Sequence, residues 1–275
     1  MPDVDANPED ALEHLEVDRG NSPTTRNARL AAIHSFAKYA AALDPENVDV
    51  CQRLVAIPFK RQTTPVIDYL DADELRALLS QPDRASSAGR RDHALLLTLF
   101  NTGARVAEIT GLVVADLHLE SPHQVRLMGK GRKERICPLW RETVPVLSQL
   151  IAEHELSPTD HVFRNHRGQP LTRFGVRYIL RKHAATASTT HPSLTGKRVS
   201  PHTMRHTAAV HLLQAGVDLV TISHWLGHAS VETTNRYTSV DLASKQAAIE
   251  QAGPIGLEGG AEWRDESVLA WLEQL

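Results

Sequence analysis

One short stretch of this chain, residues 124–139, departs from the helical periodicity on either side of it. The segments QVRLMG and RICPL are typical of two short strands, and the glycine-containing turn GKGRKE joins them into a hairpin with basic residues at its tip. The flanking segments repeat their apolar residues at helical spacing. The pattern therefore predicts a mainly helical protein with one small antiparallel sheet.

The predicted helices lie on both sides of a linker. The first runs from about Thr24 to Leu43, and the residues from Pro58 to Pro65 favour an extended connection with a domain boundary near Pro65. Asp71, with Glu74 three residues later, predicts a capped helix start. Beyond the linker we predict helices at residues 71–79, 90–101, 141–155, 172–185, 201–215, 218–225 and 231–237, and a short one that opens at residue 105.

The chain of 275 residues, 41% of them hydrophobic, is long enough for two compact domains. We predict a disordered acidic leader at residues 1–22 and a short helical domain with its linker at 23–64. A larger domain is predicted at 65–252, and 253–275 form a Gly/Pro linker and a C-terminal helix, WRDESVLAWLEQL.

Charge is sorted along the chain although the net charge is only −3. Residues 1–20 carry seven Asp/Glu against one Arg, and residues 255–275 carry five against one. Between residues 123 and 217 there are fifteen Lys/Arg and five Asp/Glu, with no acid from His161 to Val217. Such a block favours a surface that neutralises phosphates, and the alternative is an ordinary solvated basic face.

Several classes of protein do not fit the sequence. The uncharged run from Ala94 to Ala104 is far shorter than the roughly 20 residues of a membrane helix, and the acidic N-terminus does not resemble a secretory signal. We therefore predict a cytoplasmic protein. Cys51 and Cys137 stand far apart, which argues against a disulfide framework and a thiolate zinc site.

A histidine metal site is not favoured either. His202 and His206 are four residues apart on a predicted helix, a spacing that could bind zinc. However, HTMRH has Thr203 where a zinc protease of the HExxH kind has its glutamate. We predict no metal and no cofactor.

Four motifs occur in a fixed order: TGARVAEITGL, GKGRKER, HTMRH and LGHASVETTNRYT. Together they resemble the tyrosine recombinase (phage integrase) family over about Thr63 to Gln251. The resemblance implies the family's catalytic fold, preceded by a short helical core-binding domain. It also implies an active site with all six family positions intact, which are Arg105, Lys130, His202, Arg205, His228 and Tyr237.

The chemistry of these residue types agrees with phosphoryl transfer. Two guanidinium groups, from Arg105 and Arg205, can clamp the negative charge that gathers on an attacked phosphodiester. Lys130 carries a transferable proton for the departing 5′ oxygen. Arg132, Lys133 or Arg135 could replace it, but Lys130 fits the GKG position of the family pattern.

Tyr237 is the predicted nucleophile. A tyrosine with an ordinary pKa near 10 is only about one-thousandth ionised at pH 7, so it needs the help of His202 and the arginines. Attack would form a 3′-phosphotyrosyl link and free a 5′ hydroxyl, and reversal with another strand would exchange strands without ATP or metal. His228 is expected to hydrogen-bond or position the phosphate.

The resemblance further implies a C-shaped clamp around double-stranded DNA and a homotetramer on paired sites. It also implies that the protein is associated with the nucleoid. A C-terminal helix in the segment SVDLASKQAAIEQ, which follows Tyr237, would dock into a neighbouring subunit, whereas the helix WRDESVLAWLEQL has no counterpart in the family. Candidate DNA-binding residues are Arg132, Lys133, Arg135, Arg173 and Arg177. The predicted function is a site-specific recombinase or integrase of a mobile element.

The front end departs from the family pattern, because only about 65 residues precede the catalytic region and one or two expected helices are missing from the prediction. The missing helices favour one alternative, a truncated relic that binds DNA without productive recombination. A second alternative, which does not depend on the front end, is a histidine-dependent metallonuclease.

Overall fold

The computed structural model describes residue 14 and residues 16–61, 67–129, 131, 133–227 and 234. The chain divides into two compact units between Pro65 and Val66. The described part of the smaller unit contains helix α1 (Pro23–Leu43), a 3-10 turn (Pro45–Asn47) and helix α2 (Val48–Ala56).

Helix α1 begins where the sequence predicted, because the side chain of Ser22 accepts a hydrogen bond from the N–H of Thr25 and Pro23 occupies the first turn. Helix α2 is absent from the helices predicted from the sequence. This helix has only nine residues, too few to be stable alone, and it depends on the packing of Leu54 against Leu30 and Ile57.

The predicted leader extends too far into the chain. Glu16 lies within it, but its carboxylate pairs with the guanidinium of Arg26, with a distance of 3.6 Å between Nε and Oε1. The linker is also fixed at its start. The amide of Asn27 donates to the carbonyl of Lys60 at 2.8 Å and accepts from the N–H of Lys60 at 3.0 Å.

The larger unit contains seven described helices and one sheet. The helices are α3 (Ala72–Ser80), α4 (Ser87–Thr102), α5 (Val106–Thr110), α6 (Thr143–Glu153), α7 (Arg173–Ala187), α8 (Pro201–Gln214) and α9 (Leu219–Leu226). Each matches a predicted helix, and α4 begins three residues earlier than expected. Short 3-10 turns occupy Val114–Asp116 and Pro192–Leu194. The predicted helices at 231–237 and at the C-terminus lie outside the described residues.

The predicted hairpin is confirmed. Strands β2 (Gln124–Met128) and β3 (Glu134–Pro138) pair antiparallel, and a two-residue strand β1 (Leu117–His118), which the sequence analysis missed, joins the free edge of β2. Side chains alternate between the two faces of the sheet, so Val125, Leu127 and Cys137 are buried.

Helix α4 forms the centre of the core and packs against α6 and α8. Three of its four leucines, Leu95, Leu96 and Leu99, are fully buried. It ends at Gly103, whose backbone is left-handed with φ at +57°, a conformation that glycine adopts without strain. This turn directs the chain into Arg105 and α5. Among the described residues, every helix is too short or too polar to cross a membrane.

Candidate active site

Three of the six predicted active-site residues, Arg105, His202 and Arg205, lie in the described part of the chain. Lys130, His228 and Tyr237 lie outside the described residues, as does the candidate DNA contact Arg132.

Arg205 projects from α8 and is buried, with 3% of the residue exposed. Helix α8 begins at Ser200, whose hydroxyl accepts from the N–H of Thr203, and Pro201 fills its first turn as predicted. The guanidinium of Arg205 donates from Nη1 to the carbonyl of Gly103 at 2.7 Å. It also donates from Nη2 to the carbonyl of Leu226 at 2.6 Å. These two bonds fix the plane of the group.

Arg105 reaches the next carbonyl along the same chain segment. Its Nη2 donates to the carbonyl of Gly227 at 3.0 Å, while 43% of its side chain remains exposed. The two guanidinium groups come from residues 105 and 205, yet they bind consecutive carbonyls at the end of α9. The structure therefore brings together the two arginines that the sequence predicted as a clamp.

Glu108 belongs to this site although it is not among the residues predicted from the sequence. This carboxylate accepts from the main-chain N–H of Arg105 at 2.7 Å and from its Nη1 at 3.1 Å. Its side chain is only 1% exposed, and it also pairs with Nη1 of Arg135 at 2.8 Å. A signal was present in the sequence, because a glutamate three residues after a helix start is the capping-box arrangement.

Arg135 does not occupy a DNA-facing position. It stands on the buried face of β3, its side chain is 8% exposed, and its Nε donates to the carbonyl of Trp225 at 2.8 Å. This position argues against the direct DNA contact that we predicted for it, because strand alternation turns residue 135 inward. The other described candidates, Lys133, Arg173 and Arg177, are exposed.

The end of α9 is also attached to the sheet and to α4. The indole N–H of Trp225 donates to the carbonyl of Asn101 at 3.1 Å, and the thiol of Cys137 donates to the carbonyl of Trp225 at 3.3 Å. Burial raises the pKa of the Cys137 thiol, so this group stays protonated and keeps its donor. The Asn101 amide in turn donates to the carbonyl of Pro138 at 3.1 Å.

His202 lies one turn from His206 on α8, and their ring centroids are 4.4 Å apart. His202 is exposed and His206 is buried, so His202 lies on the outward side of the helix that also carries Arg205. Among the described residues, no three His, Cys, Asp or Glu side chains come together as metal ligands.

Comparison with known proteins identifies the family. The family model described as "Phage integrase family" matches residues 68–243. The chain belongs to this family. A protein of Sinorhizobium fredii that is named as an integrase/recombinase, y4rC, is 45% identical over 264 residues, which cover 96% of this chain and 80% of that protein.

A further relative and a solved structure extend the comparison. Tyrosine recombinase XerC of Pelobacter propionicus is 36% identical over 232 residues, covering 84% of this chain and 74% of that protein. The crystal structure of XerH site-specific recombinase bound to palindromic difH substrate, a post-cleavage complex, matches with a TM-score of 0.72. It is 24% identical and covers 87% of this chain and 70% of that one, which confirms the predicted fold.

The predicted family is thus confirmed, and the protein is an enzyme, a tyrosine-type site-specific DNA recombinase.

Proposed function

We propose that this recombinase breaks and rejoins double-stranded DNA through a 3′-phosphotyrosyl intermediate on Tyr237. The observation that carries the proposal is the convergence of Arg105 and Arg205 on the carbonyls of Gly227 and Leu226. Those residues immediately precede His228, the fifth predicted active-site position.

The electrostatics of this cluster support a phosphate ligand. Arg105, Arg135 and Arg205 contribute three positive charges around the end of α9, and Glu108 contributes one negative charge. The carbonyls that orient the guanidinium groups are neutral, so these four residues leave a net charge of +2. A pentacovalent phosphate in the transition state carries additional negative charge, which such a preorganised cluster stabilises.

The remaining roles follow from the chemistry of the residue types. The phenolic oxygen of Tyr237 forms a bond to phosphorus as the bond to the 5′ oxygen breaks, and Lys130 donates a proton to that leaving oxygen. His202, exposed on the same helix as Arg205, takes up the phenolic proton. His228 hydrogen-bonds a non-bridging oxygen. The reverse reaction with a 5′ hydroxyl from a second duplex completes the exchange, and the energy of the broken bond is kept in the ester.

DNA contact is assigned to the basic face of the larger unit. Helix α7 exposes Arg173, Arg177, Arg181 and Lys182, and no acid occurs from residue 161 to residue 217. The smaller unit, with α1 and α2, is proposed as the core-binding domain. We further propose a homotetramer on paired sites at the nucleoid, in which the C-terminal helix predicted in SVDLASKQAAIEQ docks into a neighbouring subunit.

Covalent trapping on a nicked duplex tests the reaction. Nicked duplexes with the sequences that flank the reading frame are incubated with the full chain in EDTA and without ATP. A denaturation-resistant protein–DNA adduct is expected with the natural protein and not with Tyr237→Phe.

Two other results would favour the alternatives. DNA binding without an adduct from either protein would indicate the relic. Cutting that EDTA abolishes and that leaves no covalent intermediate would indicate the metallonuclease.

A further inference from the structure

The last turn of α9 holds an unusual arrangement of three consecutive carbonyls, each bound by a different arginine. Arg135 Nε binds the carbonyl of Trp225 at 2.8 Å. Arg205 Nη2 binds that of Leu226 at 2.6 Å, and Arg105 Nη2 binds that of Gly227 at 3.0 Å. The three arginines come from β3, α8 and the start of α5.

A helix C-terminus is well suited to bind several arginine side chains. Its final carbonyls lack intrahelical partners, and the helix dipole places partial negative charge there, so it attracts cationic donors. Because the carbonyls point in fixed directions, each one determines where its guanidinium group lies. The end of α9 therefore acts as a template that spaces the two phosphate-binding arginines.

Arg135 differs from the other two arginines. Its side chain is buried, and it connects Glu108 to the carbonyl of Trp225, so it links the residue that orients Arg105 to the helix end that orients Arg205. Its Nη1 lies 2.8 Å from Glu108 as an ion pair, but neither Nη1 nor Nη2 completes a hydrogen bond within the described part of the chain.

Stability does not explain an arginine at this place. A buried charge pair often contributes little net stability, and incompletely bonded donors make it less favourable still. The side chain of Arg135 does, however, pack closely against Gly227 at the end of α9. A Cβ atom added to Gly227 would lie 2.9 Å from Cδ of Arg135 and 3.8 Å from Nη1 of Arg105. Arg135 therefore supports the turn that leads from α9 to His228.

We propose that Arg135 is a positioning residue for strand cleavage. It fixes Glu108 and the end of α9 relative to each other, and thereby sets the separation of Arg105 and Arg205 at the scissile phosphate. This inference rests on the function proposed above. It replaces the direct DNA contact that the sequence suggested for residue 135.

Two substitutions separate the geometry of Arg135 from its charge. Arg135→Lys keeps the charge but has a single ammonium group, which cannot hold Glu108 and the Trp225 carbonyl together as the guanidinium fork does. Arg135→Met removes the charge and keeps much of the volume. The matched control is Arg126→Lys, because Arg126 lies on the neighbouring strand β2 and pairs with Asp116 at 2.9 Å on the exposed side of the sheet.

The measurement is single-turnover adduct formation on the nicked duplex with the full chain in excess. The saturating rate constant and the half-saturating protein concentration are both recorded. We expect both Arg135 variants to lower the rate constant by about 10- to 100-fold, since a displacement of about 1 Å at a reacting centre has effects of that size. The half-saturating concentration should stay within about twofold, and Arg126→Lys should match the natural protein.

The rate constant distinguishes positioning from simple loss of folded protein. Unfolding of a fraction of the molecules raises the protein concentration that is needed but leaves the saturating rate constant unchanged. If Arg135→Lys and Arg135→Met fail to fold, the double variant Glu108→Gln with Arg135→Met is used, because it leaves no unpaired buried charge. This variant should also cleave slowly.

A natural rate constant in any folded variant would overturn the inference. So would a raised half-saturating concentration with a natural rate constant in a variant that thermal unfolding shows to be as fully folded as the natural protein, because that result would indicate a direct DNA contact. Neither result would affect the proposed function, which fails only if the natural protein itself forms no adduct.

Discussion

Arg205 and Gly103 are joined by a 2.7 Å hydrogen bond although they are 102 residues apart in the sequence. The donor is Nη1 of the guanidinium group, and the acceptor is the carbonyl of the residue that ends α4. Gly103 also packs against Leu226, whose carbonyl accepts the second hydrogen bond of Arg205. The end of one helix thus fixes both acceptors of a buried arginine.

Replacement of Gly103 should therefore affect stability and cleavage together. An alanine at φ +57° costs about 1–2 kcal/mol for the left-handed backbone, and its Cβ would also clash with Leu226. We expect Gly103→Ala to lower the free energy of unfolding by more than that backbone cost and to slow adduct formation. Urea denaturation and single-turnover cleavage measure the two effects.

Gly168→Ala is the control for the backbone cost alone. Gly168 has φ +73°, and an added Cβ there would meet no atom within 4 Å. The free energy of unfolding of Gly168→Ala should fall by only about 1–2 kcal/mol, and this variant should cleave at the natural rate. Equal stability losses at the two glycines would contradict the role assigned to the contact with Leu226.

Removal of either guanidinium group at the site should nearly abolish cleavage. Loss of one preorganised donor to a developing charge typically costs about 10²- to 10³-fold in rate. We expect that loss in Arg105→Ala and Arg205→Ala, measured as the rate constant of adduct formation at saturating protein. Arg205→Ala should have the lower Tm of the two variants, because Arg205 is buried whereas 43% of the Arg105 side chain is exposed. A natural rate constant in either folded variant would remove that arginine from the clamp.

The ion pair between α4 and α6 should contribute a pH-dependent part of the stability. Arg90 donates from Nε and Nη2 to the carboxylate of Glu153 at 2.6 and 2.7 Å. This hydrogen bonding lowers the pKa of Glu153 from 4.5 to about 2. Because the pKa is lower in the folded protein, the contribution is fully present above about pH 4.5 and is lost as the pH falls towards 2.

Glu153→Gln should therefore have a lower Tm than the natural protein near neutral pH, and the difference should shrink between about pH 4.5 and pH 2. Thermal unfolding across that range measures it. Glu142→Gln, which changes an exposed carboxylate just before α6, is the control and should show little difference at any pH. A Tm difference that does not change with pH would contradict the assignment.

Helix α7 should supply part of the salt dependence of DNA binding. Each phosphate contact contributes about −0.9 to the slope of log K against log salt concentration. If Arg173 and Arg177 both contact phosphates, Arg173→Ala with Arg177→Ala should reduce the magnitude of that slope by about 2. The slope is measured on a random-sequence duplex. Arg76→Ala, which removes an exposed arginine paired with Asp73, should leave it unchanged.

Much of the fold could be predicted from local pattern. The boundaries of α1, α3 and α8 follow from Ser22, Asp71 and Ser200, which accept the first free N–H groups of their helices. The hairpin follows from its apolar pairs and its glycine turn. Helix α2 and strand β1 could not be predicted, because each is short and is stabilised by its neighbours rather than by its own sequence.

The sequence by itself determined the residue types, the order of the motifs and hence the chemistry, because a phosphate clamp needs guanidinium groups whatever surrounds them. Only the tertiary structure decided which arginine and lysine side chains belong to the site. Arg135 and Lys133 stand in one basic motif, but Lys133 precedes β3, whereas Arg135 lies within the strand on its inward face and pairs with the buried carboxylate of Glu108. That outcome depends on the end of α9, a segment about 90 residues away, whose carbonyls satisfy donors that no local pattern reveals.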